Sequence, residues 1–205
     1  LNNIETVDEL VGLSLLVKSK KNKTGLYALN IIDQTNANIS QEKNAEKILD
    51  KAIKQAASTD NIVNKLLRYD INMVNGITNV VKEHRITDII LGVHNDKGIS
   101  ENFFGNLTNG VLNTCSSTVL IYKSAQPIFT IKRHIVVLPQ KSEKEIGFPI
   151  SLMKIWNLAL NSGARISFYA TDDTIKYLKE INKKYPIECD YNLFYDWEDF
   201  LILSR

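Results

Sequence analysis

The first 123 residues alternate between short apolar runs and longer stretches in which apolar positions recur roughly every three to four residues. Apolar runs of about four to eight residues predict buried strands, and the longer periodic stretches predict helices. The predicted helices cover about residues 6–21, 41–58, 71–85 and 103–113, and the predicted strands cover residues 26–32, 63–69, 88–92 and 118–122.

Strands and helices in strict alternation predict a parallel sheet with helices on both faces, a Rossmann-like α/β sandwich. Local signals mark the element ends. Thr6 and Glu9 form the capping-box pattern that begins a helix, and Asp70 is the predicted cap of the helix over 71–85. Parallel sheets bind ligands beyond the carboxyl ends of their strands, and the loop after Gly92 lies at such an end.

The same pattern begins again after residues 124–130, a segment with Pro127 and little periodicity that is predicted to link two domains. The second half predicts strands over 134–138, 165–170 and 188–195. It also predicts helices from a capping box at Ser142 and Glu145 to about 160, over 172–184 and over 197–205, where a strand is the alternative.

The two halves together are interpreted as a tandem repeat. Residues 1–123 would form a domain that lacks most of its first strand, and residues 131–205 a second, incomplete one. Because the sequence begins without methionine and ends inside a predicted element, it is expected to be a fragment of a longer polypeptide.

Composition mainly excludes classes of protein. The 205-residue chain has 44% hydrophobic and 23% charged residues, which is ordinary for a globular protein. A net charge of +2 predicts no nucleic-acid partner and no strong attraction to a membrane surface. No apolar run is long enough to span a bilayer, so no direct membrane insertion of this segment is expected. The two cysteines and three isolated histidines form neither a disulfide framework nor a zinc pattern.

The stretch "LGVHNDKGISENFFGNLTNG", residues 91–110, has the features of an anion-binding loop. Phosphates bind where backbone N–H groups converge at a helix N-terminus, and Gly105 is predicted to begin the helix over 103–113. Asn95 is the non-glycine residue type that best tolerates left-handed backbone. Asp96 and Glu101 act against a phosphate, since their carboxylates would repel it unless a cation offsets them.

The segment "TDIILGVHNDKGISENFFGNLTNGVLNTCSSTVLIYK", residues 87–123, resembles the last third of the universal stress protein domain. That family follows its fourth strand with the pattern Gly-x2-Gly-x9-Gly-Ser/Thr. Gly92 and Gly105 occupy the first and third glycine positions, Asn95 stands at the second, and Asn106 replaces the hydroxyl residue. Thr108 matches a hydroxyl often found two places further on.

The resemblance implies a fold like that of the adenine nucleotide alpha hydrolases, with ATP, ADP or AMP as cofactor. Members that bind nucleotide carry an acidic residue at the end of the first strand, where this chain has Asn2 or Asn3. With three binding positions changed to asparagine, weak binding or none is expected. The last strand, Thr118 to Tyr122, often forms dimer contacts in the family, so a homodimer or an internal pseudo-dimer is expected there.

A second resemblance concerns the parent protein. Tandem modules of this family with a degenerate second copy form the cytoplasmic tail of bacterial monovalent cation:proton antiporters, and "YDWEDFLILSR", residues 195–205, looks like a piece of such a tail. It implies a non-catalytic, cytoplasmic regulatory or sensor domain with a membrane transporter domain in cis. The alternative is a soluble, dimeric stress-response module that binds ATP or AMP.

Catalysis is the third reading. Enzymes on related folds need a histidine pair near the first helix, or a Ser-Gly-Gly loop after the first strand, to stabilise charge on a transferred phosphoryl group. This chain has Asn2-Asn3-Ile4-Glu5 at that place. The domain is therefore expected not to be an enzyme, although weak ATP hydrolysis stays open.

Overall fold

The structure, a computed structural model, describes residues 1–21, 24–35, 37–93 and 101–197, with only the backbone of residues 101–104. The chain divides into two compact units. Unit 1 comprises Leu1–Leu15 and Lys21–Ile128, and unit 2 comprises Leu16–Lys20 and the chain from Phe129 onward. Most of the helix predicted over 197–205 lies outside the described residues, as does the loop over 94–100.

Unit 1 has the predicted α/β alternation. Its elements are α1 (Val7–Val17), β1 (Leu26–Asp33), α2 (Ile39–Ala57), β2 (Val63–Asp70), α3 (Met73–His84), β3 (Asp88–Val93), α4 (Glu101–Thr114) and β4 (Thr118–Lys123). The strands form two parallel pairs, β1 with β2 and β3 with β4, and the structure shows no hydrogen-bonded ladder that joins the pairs among the described residues. Parallel pairing with helical crossovers confirms the predicted fold class.

Leu1 lies beside β1 in the manner of a strand residue. Its backbone nitrogen donates to the carbonyl oxygen of Leu29, and its own carbonyl oxygen accepts a hydrogen bond from Asn30 Nδ2 at 2.7 Å. Asn30 is only 6% exposed, so its amide needs a partner inside the protein. The backbone of Leu1 supplies that partner.

Hydrophobic clusters stabilise unit 1 on both sides of β1, because the side chains of this strand alternate between its two faces. On one face Ala28 packs with α1, α2 and β2, in a cluster that also contains Val7, Val11, Ile48, Leu49, Ala52, Ala56 and Val63. On the other face Leu29 and Ile31 pack against α3, β3 and α4, around Ile77, Ile89 and Val111. Helices therefore cover both faces of β1.

Unit 2 is a three-stranded parallel sheet in the order β5-β6-β7. Its elements are β5 (Arg133–Val137), α5 (Phe148–Ser162), β6 (Arg165–Ala170), α6 (Asp172–Lys184) and β7 (Cys189–Leu193). The core forms where α5 and α6 pack on the sheet. Phe168 of β6 is fully buried there, with its ring centroid 5.6 Å from that of Trp156 and 5.9 Å from that of Tyr191.

Two predicted helix starts are wrong. The cap of α3 is Asn72, whose side chain accepts from Asn75 N at 2.9 Å, while Asp70 ends β2 and its carboxylate accepts from Asn79 Nδ2 at 3.1 Å. An asparagine side chain in the extended conformation of Asn72 caps a helix as well as aspartate does.

The helix predicted from Ser142 begins only at Phe148. Ser142 Oγ donates to Pro139 O at 2.6 Å, and residues Ser142–Lys144 form one turn of 3-10 helix instead. Pro149 lies in the first turn of α5, where its missing N–H costs nothing and its fixed φ favours the helix. The proline therefore sets this start.

None of the helices within the described residues combines the length and the apolar character that crossing a membrane requires.

We expect His134 on β5 to make the stability of unit 2 sensitive to acid. Burial lowers the pKa of its imidazole, and Nε2 meets no hydrogen-bond partner among the described residues. As the pH falls through about 6.5, the unfolded chain takes up this proton before the folded one does, so the free energy of unfolding should fall. We expect His134→Leu to reduce this fall in urea titrations between about pH 7.5 and 5.5. An equal fall in the variant would contradict the assignment.

Candidate functional site

Gly92 lies one residue before the end of β3, at the carboxyl edge where ligands of parallel sheets bind. A Cβ atom at this position would lie 2.7 Å from Leu10 Cδ1. Leu10 is buried on α1, so the absence of a side chain at Gly92 lets α1 approach β3 closely. This contact gives Gly92 a packing role that is independent of any ligand.

The helix after β3 begins earlier than predicted. α4 starts at Glu101 and not at residue 103, so Gly105 is its fifth residue and lies beyond its first turn. Only the first four N–H groups of an α-helix lack a partner within the helix, and the prediction that Gly105 offers a free N–H to an anion is therefore wrong. A Cβ atom at Gly105 would meet no atom of the described residues within 4 Å.

Thr108 lies one turn after Gly105 on α4 and is only 8% exposed. Its hydroxyl oxygen is buried and has no hydrogen-bond partner among the residues that the structure describes. Buried hydroxyls are nearly always paired, because an unpaired one costs about 1–3 kcal/mol. By contrast, Thr114 on the same helix donates to Gly110 O at 2.7 Å. Thr108 is thus a buried polar group without a hydrogen-bond partner among the described residues.

The remaining predicted residues have different environments. Asn2 is exposed, and Asn3 Oδ1 accepts from Glu5 N at 2.8 Å in the turn before α1. This hydrogen bond occupies Asn3 Oδ1, the atom that would take the place of the ribose-binding carboxylate. Asn106 is exposed on α4, and Asn95 lies outside the described residues. The structure thus brings Gly105, Asn106 and Thr108 together on α4, directly after the strand that carries Gly92.

Sequence reasoning missed one polar cluster in unit 1. Glu9 Oε2 accepts from the backbone nitrogen of Ile128 at 2.8 Å and from the Tyr122 hydroxyl at 3.3 Å. Thr6, its predicted capping-box partner, donates through Oγ1 to Asn3 O at 3.1 Å. The local spacing of Thr6 and Glu9 gave no signal for a contact 119 residues away along the chain.

Metal binding finds no support in the side-chain arrangement, since the described residues contain no group of three or more histidine, cysteine or acidic side chains placed to hold an ion. Each cysteine instead has hydroxyl neighbours. Cys115 Sγ lies 3.6 Å from Thr78 Oγ1, and Cys189 Sγ lies 3.2 Å from the Tyr191 hydroxyl.

A solved structure of another protein shares the fold described above. The chain is similar to a universal stress protein from Archaeoglobus fulgidus, with 16% identity over 96% of this chain and 76% of that one and a TM-score of 0.61. This likeness shows the shared fold. A second solved structure, of a hypothetical protein, is 23% identical over 56% of this chain and 86% of that one, with a TM-score of 0.37.

No curated protein matches the chain. The family model described as "Universal stress protein family" matches residues 15–123, which is more than half of the chain and runs from the last turn of α1 to the end of β4. The chain belongs to the universal stress protein family.

Proposed function

We propose that this segment is a non-catalytic regulatory domain that responds to an adenine nucleotide bound weakly at α4 of unit 1. The observation that carries the proposal is the buried hydroxyl of Thr108, which has no hydrogen-bond partner within the described part of the chain. A phosphate or ribose oxygen would accept from it, and among the described residues no atom lies within 4 Å of the place that a Cβ would take at Gly105, which leaves room for such a group.

Several features favour weak rather than tight binding. The backbone N–H of Gly105 lies inside α4, and the side-chain oxygen of Asn3 already accepts from Glu5 N. Asparagine also stands at two further motif positions, Asn95 and Asn106. Each change removes a donor, a charge or open space that a tightly bound triphosphate would use. Weak affinity suits a sensor, since its occupancy follows the nucleotide concentration.

For the parent protein, we propose a monovalent cation:proton antiporter that carries this domain in cis on its cytoplasmic side. The support is the resemblance of residues 195–205 to antiporter tails and the repetition of the β-α-β pattern in the second half of the chain. Nucleotide binding would then favour one arrangement of the domain and shift the transport equilibrium. Reading the genomic frame upstream of Leu1 tests this proposal, because about a dozen apolar helices are expected there.

The second candidate is a soluble stress-response module that binds ATP or AMP and acts as a dimer. The observation in its favour is β4, which has a hydrogen-bonded neighbour on one side only among the described strands, and whose Ile121 is 51% exposed. Such an edge can pair with a second copy. An upstream frame without apolar helices, together with a dimer that Ile121→Lys dissociates, would favour this candidate over the antiporter domain.

Thr108→Val tests the nucleotide site. Without nucleotide, the variant should be more stable than the wild type by up to about 1–3 kcal/mol, because valine removes an unpaired buried hydroxyl at nearly constant volume. With millimolar ATP, ADP or AMP, the wild type should gain thermal stability and the variant should gain none. Thermal denaturation with and without each nucleotide measures both effects.

Two variants serve as controls for Thr108→Val. Thr108→Ser keeps the hydroxyl and should keep the nucleotide response, while Thr114→Val removes a hydroxyl that is already paired and should leave that response unchanged. A nucleotide response that survives Thr108→Val would place the ligand elsewhere. If the wild type gained no thermal stability with any nucleotide, the proposed sensor function itself would be contradicted.

A further inference from the structure

Unit 2 includes a short segment from the beginning of the chain. Residues Leu16–Lys20 belong to it, whereas the earlier part of α1, which spans Val7–Val17, belongs to unit 1. The last four carbonyl groups of an α-helix have no partner within the helix. Leu16 and Val17 carry two of these groups and are only 4% and 6% exposed. Their carbonyl oxygens therefore need hydrogen-bond partners inside the protein.

Two asparagines of α5 supply these partners. Asn161 Nδ2 donates to Leu16 O at 2.8 Å and to Lys18 O at 2.9 Å. Asn157 Nδ2 donates to Val17 O at 3.0 Å. Because the two asparagines are four residues apart, their side chains lie on the same face of α5. All three acceptors are carbonyl oxygens, so the bonds require the N–H groups of an amide. Asn157 and Asn161 together form an asparagine clamp on the end of α1.

Two other helices of the chain end on their own backbone. The N–H of Arg85, in left-handed conformation, donates to Val81 O at the end of α3. In the same way, the N–H of Gly163 donates to Ala159 O at the end of α5. Such caps are local and form together with the helix. The asparagine clamp instead joins positions that are 140 to 145 residues apart along the chain, so side chains from its second half hold the last turn of α1.

A simpler role for the two asparagines would be to occupy polar surface positions of α5. Asparagine is a poorer residue than alanine inside a helix, because its side chain competes for backbone hydrogen bonds. Both asparagines are half-buried rather than exposed, and the core of unit 2 is contacted by other α5 residues, among them Trp156 and Ala159. Helix propensity and the unit 2 core thus leave the asparagines unexplained, and their bonds to α1 explain them.

We infer that α1 is a shared helix, whose first turns are held by the core of unit 1 and whose last turn is held by the asparagine clamp of unit 2. Val7 and Val11 lie in the unit 1 core. A change that loosens α5 then releases the last turn of α1 without unfolding its start. Leu10 of the same helix lies against Gly92, so the helix that the clamp holds also contacts the end of β3. This inference does not depend on nucleotide binding.

Amide hydrogen exchange in the whole 205-residue chain tests the clamp. In the double variant Asn157→Ala, Asn161→Ala, the amides of Leu16 and Val17 should exchange at least about tenfold faster than in the wild type, since losing one hydrogen bond corresponds to roughly that factor. The amide of Val11 should keep its protection, because this residue is buried in unit 1. Asn161→Asp keeps the shape but places a carboxylate at the negative end of α1, so it should also speed the exchange.

The alanine substitutions favour α5 itself, so they do not release α1 by weakening that helix. Asn109→Ala, at an exposed position of α4, gives the same gain in helix propensity and should leave the exchange of Leu16 and Val17 unchanged. Equal exchange of these two amides in the double variant and the wild type would overturn the inference. An increase that the amides of Ile166 and Phe168 share equally would overturn it too, because unit 2 would then be opening as a whole.

Discussion

Phe168→Ala should lower the free energy of unfolding by about 3–5 kcal/mol. Phe168 is fully buried in the middle of β6, between the rings of Trp156 and Tyr191. Alanine would lose the transfer energy of the ring and leave a cavity in the cluster where α5 and α6 pack on the sheet. Urea denaturation monitored by tryptophan fluorescence measures the effect, since both tryptophans, Trp156 and Trp197, lie in unit 2.

A matched aromatic residue in the same unit provides the control. Tyr185 is 67% exposed, so Tyr185→Ala removes a ring of similar size with little change in buried area. Its effect should stay within about 0.5 kcal/mol. Similar losses in both variants would mean that the ring of Phe168 is not the centre of the unit 2 core.

The second large effect is expected at Thr174, which is fully buried at the start of α6. Its hydroxyl donates to Glu143 Oε2 at 2.7 Å and lies 3.0 Å from Thr171 Oγ1. Thr174→Val keeps the volume but leaves the carboxylate facing a methyl group. We expect a loss of about 1–3 kcal/mol in the free energy of unfolding, measured by urea denaturation.

A double-mutant cycle isolates this hydrogen bond from other effects of the substitution. Glu143→Met in the Thr174→Val background removes the unpaired carboxylate and should recover part of the stability, with a coupling energy of about 0.5–3 kcal/mol. Thr174→Ser keeps the hydroxyl and loses only a methyl group. Additive effects of Thr174→Val and Glu143→Met would show that the two side chains do not interact.

The sequence pattern predicts elements best where local chemistry alone sets their ends. β6 and α6 have the predicted bounds, and Gly163, with a positive φ of 67°, ends α5 as its neighbours Asn161 and Ser162 suggest. The start of α5 was predicted wrongly, because the Ser142–Glu145 pattern looks like a cap while Pro149 sets the true start. The Ser142–Glu145 pattern and Pro149 each indicate a helix start there. Residue spacing alone does not show which of the two sets the start.

The candidate site, too, could be predicted only in part from the sequence. The resemblance to the universal stress protein motif was enough to select Gly92, Gly105 and Thr108. It could not show that Gly105 lies inside α4 or that the hydroxyl of Thr108 is buried without a partner, because helix boundaries and burial depend on contacts made elsewhere in the fold. The Glu9–Ile128 hydrogen bond was beyond any local pattern, since it joins residues 119 positions apart.

The separation of the unit 1 strands into two pairs affects how this polypeptide should be handled. β1 and β3 each have a hydrogen-bonded strand on one side only, within the part of the chain that the structure describes. Beside β1, Leu1 supplies backbone hydrogen-bond partners in place of a strand. Unpaired edges on strands this apolar are templates for pairing between molecules. Concentration and storage time are therefore the variables to control when the 205-residue polypeptide is purified.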